Sequence, residues 1–379
     1  MARGNGEGNI RRRKDGRWEA RMTVGYQGDK AQIKSLYGKT RQEVQQKLSK
    51  LQTDLQQGIA PTDDRQTVGQ FLDRWLKVSV KGGVRSSTYV SYEGHVRLHI
   101  KPALGKIRLS KLTPVDVQEF MNEKISDGLS AQTVRNVRAT LRAALGQAVR
   151  WGEVSRNVVE LTDPPSVPHN EPDPFTAGEA AHFLETTKEH RLHAVFSLML
   201  ACGMRRGEAL GLRWRDMDLE GGTLSIRHSL QRIDGSLKLV EPKTAKSRRT
   251  IAIPGFAWEA LKAHRKRQVE EKLFAGSKWQ DTDHVFTSRI GTPLDPDNVS
   301  RDFKALVKEA GLRDQRLHDL RHACASLLMG QGVSPRVVME TLGHSQISLT
   351  MNTYSHVIPD LQRNAANQMD EIMTSTSRK

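Results

Sequence analysis

The sequence has very little cysteine and no long apolar segment. Its 379 residues include two cysteines, Cys202 and Cys324, each among apolar residues of a predicted helix. One disulfide is chemically allowed, but two buried free thiols in a reducing compartment are the favoured interpretation. No apolar run approaches the roughly 20 residues that span a bilayer, and the N-terminus leads into polar sequence instead of a signal peptide. We therefore expect a cytoplasmic protein without membrane contact.

Acidic residues are also scarce relative to basic ones. The chain has 43 Asp and Glu against 59 Lys and Arg, which gives a formal net charge of +16. Because the basic residues are spread over the whole length, we expect a polyanionic partner, with nucleic acid favoured over an anionic membrane surface. The length suggests two or three domains. No internal repeat or low-complexity tract is present.

The first 60 residues predict a small β-sheet followed by a helix. Two stretches of alternating apolar and polar residues are typical of strands. Thr40 is placed to cap the helix, which has one apolar face. Arg11, Arg12 and Arg13 lead directly into this unit, and we interpret them as DNA contacts. A solvated basic tail is the simpler alternative.

Residues 61–165 predict a second domain that consists only of helices. Thr113 and Pro114 mark one helix start, as N-cap and first helical residue. A long helix follows, and the face opposite its apolar positions carries Arg135, Arg138 and Arg142. A solvated face is the bland interpretation of this stripe, but in a basic domain contact with DNA phosphates is at least as well supported.

Residues 166–379 predict a third domain that mixes strands with a majority of helices. Helices are expected near residues 176–188 and 190–202, strands at 223–226, 237–240 and 249–253, and further helices to the end. The last of these, from Pro359 to Met373, has an apolar side with no obvious place in its own domain.

The most informative residues lie in this third domain. Leu317–His322, Leu342–His344 and Tyr354 follow one another, and Cys202–Leu212 provides a further arginine at the start of an apolar helix. Arginine and histidine side chains suit the oxygens of a phosphate, and a tyrosine beside them can attack phosphorus. Tyr354 is the only tyrosine in the C-terminal half of the chain.

These segments resemble the tyrosine recombinase (phage integrase) family, whose signature is Arg, Lys, His-x-x-Arg, His and Tyr in this order. The resemblance covers the catalytic half and weakens towards the N-terminus. It implies a multidomain fold: an arm-binding domain made of a small β-sheet plus a helix, an all-α core-binding domain, and a mixed α+β, mainly helical catalytic domain. It also implies that the C-terminal helix packs against a neighbouring protomer.

The resemblance assigns catalytic roles to Arg205, Lys243, His318, Arg321, His344 and Tyr354. The two arginines would bind the non-bridging oxygens, because arginine offers planar bidentate donors. The first histidine would accept a proton or donate to the phosphate, and the second would donate a hydrogen bond to it. The tyrosine would be the nucleophile. The lysine would protonate the leaving 5′ oxygen, with Lys246 as the alternative.

Neighbouring residues refine these assignments. Arg206 competes with Arg205, but the family phrase selects Arg205, and we expect Arg206 to be replaceable. Glu208 shares a helical face with Arg205 and is expected to hold it in place. Gly343 is expected to take a positive φ at a helix end. His322 is either a helper of the site or a packed core histidine.

Metal binding is the competing chemistry for these histidines. His318 and His322 stand at i and i+4, a spacing also found in zinc-binding helices. Such a helix needs a glutamate after the first histidine, where this chain has Asp319, and a third ligand downstream. The available candidates, His344 and His356, are better explained otherwise. We therefore expect neither a metal nor another cofactor.

The implied function is site-specific recombination that integrates or excises a phage or other mobile element through a 3′-phosphotyrosyl intermediate. The implied partners are double-stranded DNA with core and arm-type sites, a homotetramer on that DNA, and an accessory DNA-bending or excisionase protein. Two alternatives stay open. One is a type IB topoisomerase, which shares the tyrosine chemistry. The other is a DNA-binding regulator without catalytic activity.

Overall fold

The structure is a computed structural model that describes residues 8–27, 30–56, 65–168, 173–242 and 248–343, together with Ala366, Met369, Asp370 and Met373. The chain divides into two compact units, residues 1–168 and 169–379. This division lies three residues from the predicted boundary at 165. Within the first unit, separate apolar clusters occupy the sheet region and the helical region. The finer division into residues 1–60 and 61–165 stays a prediction.

The N-terminal region is a three-stranded antiparallel sheet with one helix packed on it. Its elements are β1 (Asn9–Arg12), β2 (Trp18–Gln27), β3 (Lys30–Gly38) and α1 (Arg41–Gln56). The Glu43 amide donates to Thr40 Oγ1 over 3.2 Å, which confirms the predicted cap. The sequence interpretation missed β1. Arg11 and Arg12 belong to this strand and are exposed, so the choice between DNA contact and a solvated cluster stays open for both.

The regular secondary structure in the rest of the first unit, as far as it is described, consists of helices joined by loops, as predicted. Its helices are α2 (Val68–Trp75), α3 (Ser86–His95), α4 (Lys101–Leu104), α5 (Pro114–Ser126) and α6 (Ala131–Arg150). Thr113 caps α5 with Pro114 at its first position, and Asp116 completes a capping box by accepting the Thr113 amide. Phe71, Phe120 and Leu141 are fully buried in the core that these helices share.

The second unit surrounds a helix that is apolar on nearly all sides. The described elements are α7 (Ala177–Thr186), α8 (His193–Cys202), α9 (Arg206–Leu210), β4 (Met217–Asp218), β5 (Thr223–Ile226), β6 (Ser229–Ile233), β7 (Ser236–Val240), β8 (Arg249–Ala252), α10 (Gly255–Ala275), α11 (Pro296–Glu309), α12 (Asp319–Gly330) and α13 (Pro335–Leu342). Helix α8 buries every residue from Ala194 to Leu200, so it forms the middle of the core. Its C-terminal end leads directly into Gly203–Arg205.

The strands of this unit differ from the sequence prediction in their pairing and in their number. The strands predicted at 237–240 and 249–253 do not pair with each other, because β7 pairs with β6, and β8 pairs with β5. Strand β6 was missed. Its signal is the Asp234-Gly235 turn, in which both residues have positive φ (51° and 75°), as two-residue hairpin turns require. The segment carrying Lys243 therefore connects two different sheets.

The remaining predictions concern the cysteines, membrane-spanning segments and the C-terminal helix. Cys202 and Cys324 are free and buried, as predicted, and burial raises the pKa of each thiol to about 12. Among the described residues, no helix is both long enough and apolar enough to span a bilayer. Of the predicted C-terminal helix, Ala366, Met369, Asp370 and Met373 are helical and exposed. Its other residues lie outside the described part.

Candidate active site

Arg205 stands at the N-terminal end of the short helix α9. The preceding helix ends at Cys202, and the left-handed conformation of the next residue, Gly203 (φ 58°), turns the chain sharply. A Cβ atom at Gly203 would lie 2.3 Å from Leu342 Cδ2, so this turn requires glycine. The Arg205 amide donates to Glu208 Oε2 over 3.0 Å, and its Nη1 donates to Glu208 Oε1 over 2.7 Å. Glu208 therefore holds Arg205, as the sequence predicted.

Arg321 lies in the first turn of α12 and is almost completely buried, with 2% of its surface exposed. Its Nη1 donates to the Gly203 carbonyl over 2.6 Å and to the Leu342 carbonyl over 2.8 Å. A buried charge is costly unless hydrogen bonds compensate its lost hydration, and these two carbonyls provide part of that compensation. Arg321 thereby joins the ends of α8 and α13.

His318 directly precedes α12, one turn before Arg321. Although the residue is exposed to solvent, partial burial of its ring lowers the pKa, and His322 and Arg321 add to this effect, so that the pKa is about 4. His318 is therefore neutral near pH 7 and can accept a proton. His322 packs against it edge to face, with ring centroids 5.2 Å apart.

The C-terminal end of α13 collects three arginine side chains. Arg249 Nε donates to the Thr341 carbonyl over 2.7 Å, and Arg321 donates to the next carbonyl, that of Leu342. Arg205 Nη2 makes a longer contact of 3.4 Å with the carbonyl of Gly343. Three successive carbonyls at the negative end of a helix thus meet three cations, which is electrostatically favourable. Gly343 has φ 68°, as predicted.

The charges in this cluster do not cancel. Glu208 is the carboxylate that contacts Arg205 and Arg249, while Arg321 contacts carbonyls. Burial alone would raise the pKa of Glu208, but the charges of Arg249 and Arg205 outweigh burial and hold the pKa below its usual value. The three arginines therefore exceed the one carboxylate, and the described site has the sign that attracts a phosphate.

Arg206 has different partners from Arg205. Its Nη1 donates to the Pro296 carbonyl over 3.1 Å, to Asp297 over 3.0 Å and to Ser300 Oγ over 2.8 Å. These groups belong to the first turn and a half of α11. Arg206 therefore has a structural role that the sequence interpretation did not foresee, and its replacement would loosen this helix end. Its dispensability for chemistry stays a prediction.

Lys243, Lys246, His344 and Tyr354 lie outside the described residues. The described residues nevertheless show what flanks two of these segments. Residue 343 ends the turn held by the arginine cluster, and His344 follows it directly in the chain. The segment with both lysines ends immediately before Arg248, next to Arg249. Among the described residues, no group of three side chains is placed to hold a metal ion. The candidate third ligands His344 and His356 are not among them.

The predicted DNA-binding arginines differ in their surroundings. Arg138 donates to the Val159 carbonyl and to the Thr162 carbonyl, each over 2.8 Å, so it has a structural role. Arg142 forms an exposed ion pair with Glu160. Arg135 is exposed. For all three, contact with DNA stays a prediction.

The other predicted arginines lie in or beside the N-terminal sheet. Arg11 is on the face opposite α1, where it pairs with Glu19 over 2.7 Å, and the Arg13 guanidinium lies 5.4 Å from the centre of the Tyr37 ring. Arg12 is in register with Trp18 and belongs to the other set of alternating positions. Arg11 and Arg13 therefore share a surface with an aromatic side chain.

Comparison with known proteins identifies the family. A model of the phage integrase family matches residues 175–360, and one of the phage integrase N-terminal SAM-like domain matches residues 67–125. A tyrosine recombinase XerC-like protein of Caldanaerobacter subterraneus subsp. tengcongensis is 32% identical over 358 residues, which are 89% of this chain and 92% of that protein. The chain belongs to the phage integrase family of tyrosine recombinases. It is accordingly a site-specific DNA recombinase.

Solved structures show that this integrase also has the family's fold. An integrase of transposon Tn1549, in complex with a circular intermediate DNA, matches with a TM-score of 0.68 at 22% identity, covering 80% of this chain and 99% of that one. A lambda integrase tetramer bound to a Holliday junction matches with a TM-score of 0.58 at 20% identity, covering 93% and 96%. The expected fold, with helical core-binding and mainly helical catalytic domains, is thereby confirmed in outline.

Proposed function

We propose that this recombinase integrates and excises a mobile element by using Tyr354 as nucleophile beside the arginine cluster. The observation that carries the proposal is the convergence of Arg205 and Arg321 on the carbonyls of Leu342 and Gly343, immediately before His344. The segments that carry Arg205 and Arg321 are more than 110 residues apart in sequence. Both contact the end of α13, which directly precedes His344. A phosphate bound there would meet the arginine cations and the N–H group of the neutral His318.

The proposed chemistry is an exchange of phosphodiester bonds. The Tyr354 oxygen attacks phosphorus, the bond to the 5′ oxygen breaks, and a 3′-phosphotyrosyl ester forms. We assign the proton of Tyr354 to His318, which is neutral near pH 7 and therefore has an unprotonated ring nitrogen. A 5′-hydroxyl from a partner strand then attacks the ester and gives its proton to the group that protonated the first 5′ oxygen. The bond between phosphorus and the Tyr354 oxygen breaks, and His318 returns the proton to that oxygen. Because the ester conserves the bond energy, neither ATP nor a metal is needed.

The two arginines contribute to this exchange in different ways. Arg205 has 40% of its side chain exposed and is our candidate for direct bonds to the non-bridging oxygens. Arg321 is buried, so it orders the floor of the site and adds positive charge to it. Direct bonding of Arg321 to the phosphate remains a prediction from the family resemblance.

The leaving 5′ oxygen needs a proton, and we propose that Lys243 supplies it. If so, Lys243→Ala should slow cleavage on the order of 10²–10⁴-fold, the usual contribution of a general acid. A substrate with sulfur in place of that oxygen needs no proton, and cleavage by this variant should then return nearly to the parent rate. Arg205→Ala serves as the control that sulfur does not rescue. Rescue of Lys246→Ala in its place would move the assignment to Lys246.

We further propose that the recombinase acts as a homotetramer that binds core and arm-type sites in double-stranded DNA. The likeness to the lambda integrase tetramer on a Holliday junction supports the assembly. The net charge of +16 supports contact with DNA along the whole chain. The face of the N-terminal sheet that carries Arg11, Arg13 and Tyr37 is the proposed arm-binding surface. An accessory DNA-bending or excisionase protein belongs to the same proposal.

Strand exchange between two duplexes tests this function against its alternatives. The substrates are duplexes from the DNA that flanks the gene, because an integrase gene usually lies beside its own attachment site. The proposal predicts a covalent protein–DNA adduct and products that join the two duplexes. Relaxation of supercoiled DNA without joined products would favour a topoisomerase. Binding without any adduct would favour a DNA-binding regulator.

A further inference from the structure

Arg249 is the arginine of the cluster that the family signature does not include. It begins β8, and its side chain has 8% of its surface exposed. Its Nε donates to the Thr341 carbonyl at the end of α13, and its Nη2 donates to Glu208 Oε2 over 3.1 Å. These partners lie 92 and 41 positions away in the sequence. One guanidinium therefore joins β8, α9 and α13.

We propose that Arg249 is a positioning residue, which sets the phosphate-binding geometry by fixing Glu208 and the end of α13 relative to each other. The inference rests on the proposed function and adds a residue to it. Glu208 transmits the constraint, because its Oε1 accepts from Arg205 Nη1 and its Oε2 accepts from the Arg205 amide and from Arg249. The bond from Arg249 to the Thr341 carbonyl also fixes the end of α13, and with it the turn that precedes His344.

The exposure of Arg205 and Arg249 shows which of the two side chains can contact the substrate and which can only position other residues. Arg205 exposes 40% of its side chain, five times the fraction of Arg249, so Arg205 is the side chain that can reach a phosphate. Arg249 instead packs against the turn after α13, where a Cβ atom at Gly343 would lie 2.6 Å from Arg249 Nη1. Arg249 thus acts on the substrate through other residues.

The geometry also explains why arginine is needed. A guanidinium is planar and presents donors in two directions, so Nε and Nη2 can serve a carbonyl and a carboxylate at once. Lysine keeps the charge but has one ammonium group at the end of a flexible chain. Arg249→Lys should therefore balance Glu208 electrostatically while releasing either Glu208 or the helix end from its fixed place.

The test is single-turnover cleavage of a nicked suicide substrate by protein already bound to it. Arg249→Lys should lower the rate on the order of 10²-fold, since misplacement of catalytic groups by about 1 Å can have that effect. DNA affinity should stay near that of the parent. Arg248→Lys is the matched control, because Arg248 is the adjacent residue, is 58% exposed and pairs with Glu241 at the surface. Its rate should equal the parent rate.

A double-mutant cycle distinguishes positioning from a general loss of stability. If Arg249 acts through Arg205, Arg249→Lys should have much less effect in an Arg205→Ala background than in the parent. A variant that is merely less well folded would lose the same factor in both backgrounds. Equal losses, or a parent-like rate for Arg249→Lys, would overturn the inference alone. Absence of a covalent adduct with the parent would overturn the proposed function as well.

Discussion

Two regions of this molecule use the same device, a buried glutamate that contacts two arginines. In the N-terminal sheet, Glu19 pairs with Arg11 and Arg21. In the catalytic unit, Glu208 pairs with Arg205 and Arg249. Both carboxylates are shielded from solvent, with 0% and 4% of their surface exposed. The arginines around the two carboxylates differ in exposure.

Around Glu19 both arginines face the solvent, with 54% and 52% of their side chains exposed. Around Glu208 the exposed Arg205 is paired with the buried Arg249. The first cluster therefore exposes two guanidiniums on one face of the sheet. The second presents one guanidinium and uses the other to connect distant elements. We infer that the first serves binding and the second serves the geometry of a reaction.

The largest effect that this comparison predicts is at Glu208. Glu208→Gln keeps the shape of the side chain but removes the charge that holds both arginines, so Arg205 should move from its place. Cleavage of bound DNA should fall on the order of 10²-fold, with little change in affinity. Single-turnover rates and binding titrations separate the two quantities. Glu259→Gln, on an exposed glutamate of α10, is the control for loss of one negative charge.

A parent-like cleavage rate for Glu208→Gln would break the distinction between the two clusters. An equal loss of affinity and rate would also contradict it, because the cluster would then serve binding as the N-terminal one is proposed to do.

The second prediction concerns Glu19. Glu19→Gln should release Arg11 and Arg21, so the preference for arm-type DNA over unrelated DNA should fall on the order of 10-fold, while cleavage of a bound core site stays the same. A fixed bidentate contact to a base contributes about 1–3 kcal/mol of discrimination, which sets this magnitude. Competition titrations with the two kinds of DNA measure it. Glu43→Gln, in the same domain but on α1, controls for net charge.

If Glu19→Gln discriminates between the two kinds of DNA as well as the parent does, the arm-binding role of this surface is wrong. A loss of cleavage in the same variant would show that the two clusters are not independent.

The smallest predicted effect is on local stability at acid pH. The hydrogen bond from Arg11, joined by that from Arg21, lowers the pKa of Glu19 from its ordinary 4.5 to about 2. Since the folded-state pKa is depressed, the stabilisation is present above about pH 4.5 and is lost as the pH falls towards 2. Amide exchange in β2 should therefore show parent and Glu19→Gln converging over this window. A constant difference between them would contradict the account.

The sequence predicts local features of the fold well because their causes lie within a few residues. Thr113 caps its helix, Gly343 takes a positive φ and Glu208 contacts Arg205 three positions away. Each depends on one helical turn. The hairpin at Asp234-Gly235 is also local, and it was missed although its turn signal is present in the sequence.

The role of Arg249 could not be predicted in the same way. Its partner Thr341 is 92 positions away, and the contact uses a backbone carbonyl, which leaves no trace in the identity of that residue. The burial of Arg321 was equally hidden, because an arginine in an apolar helix gives no sign of which carbonyls will surround it. The strand that carries Glu19 and Arg21 was predicted, but its pairing with β1, which places Arg11 beside Glu19, is known only from the strand register.

The central claim is that the arginine cluster serves a covalent reaction of Tyr354. Its most direct test compares the parent with Tyr354→Phe on a suicide substrate nicked near the cleavage point, analysed on a denaturing gel. Phenylalanine keeps the ring and its packing but removes the nucleophilic oxygen. The account predicts a covalent protein–DNA adduct with the parent and none with the variant, at equal DNA affinity. An adduct formed by Tyr354→Phe would contradict it.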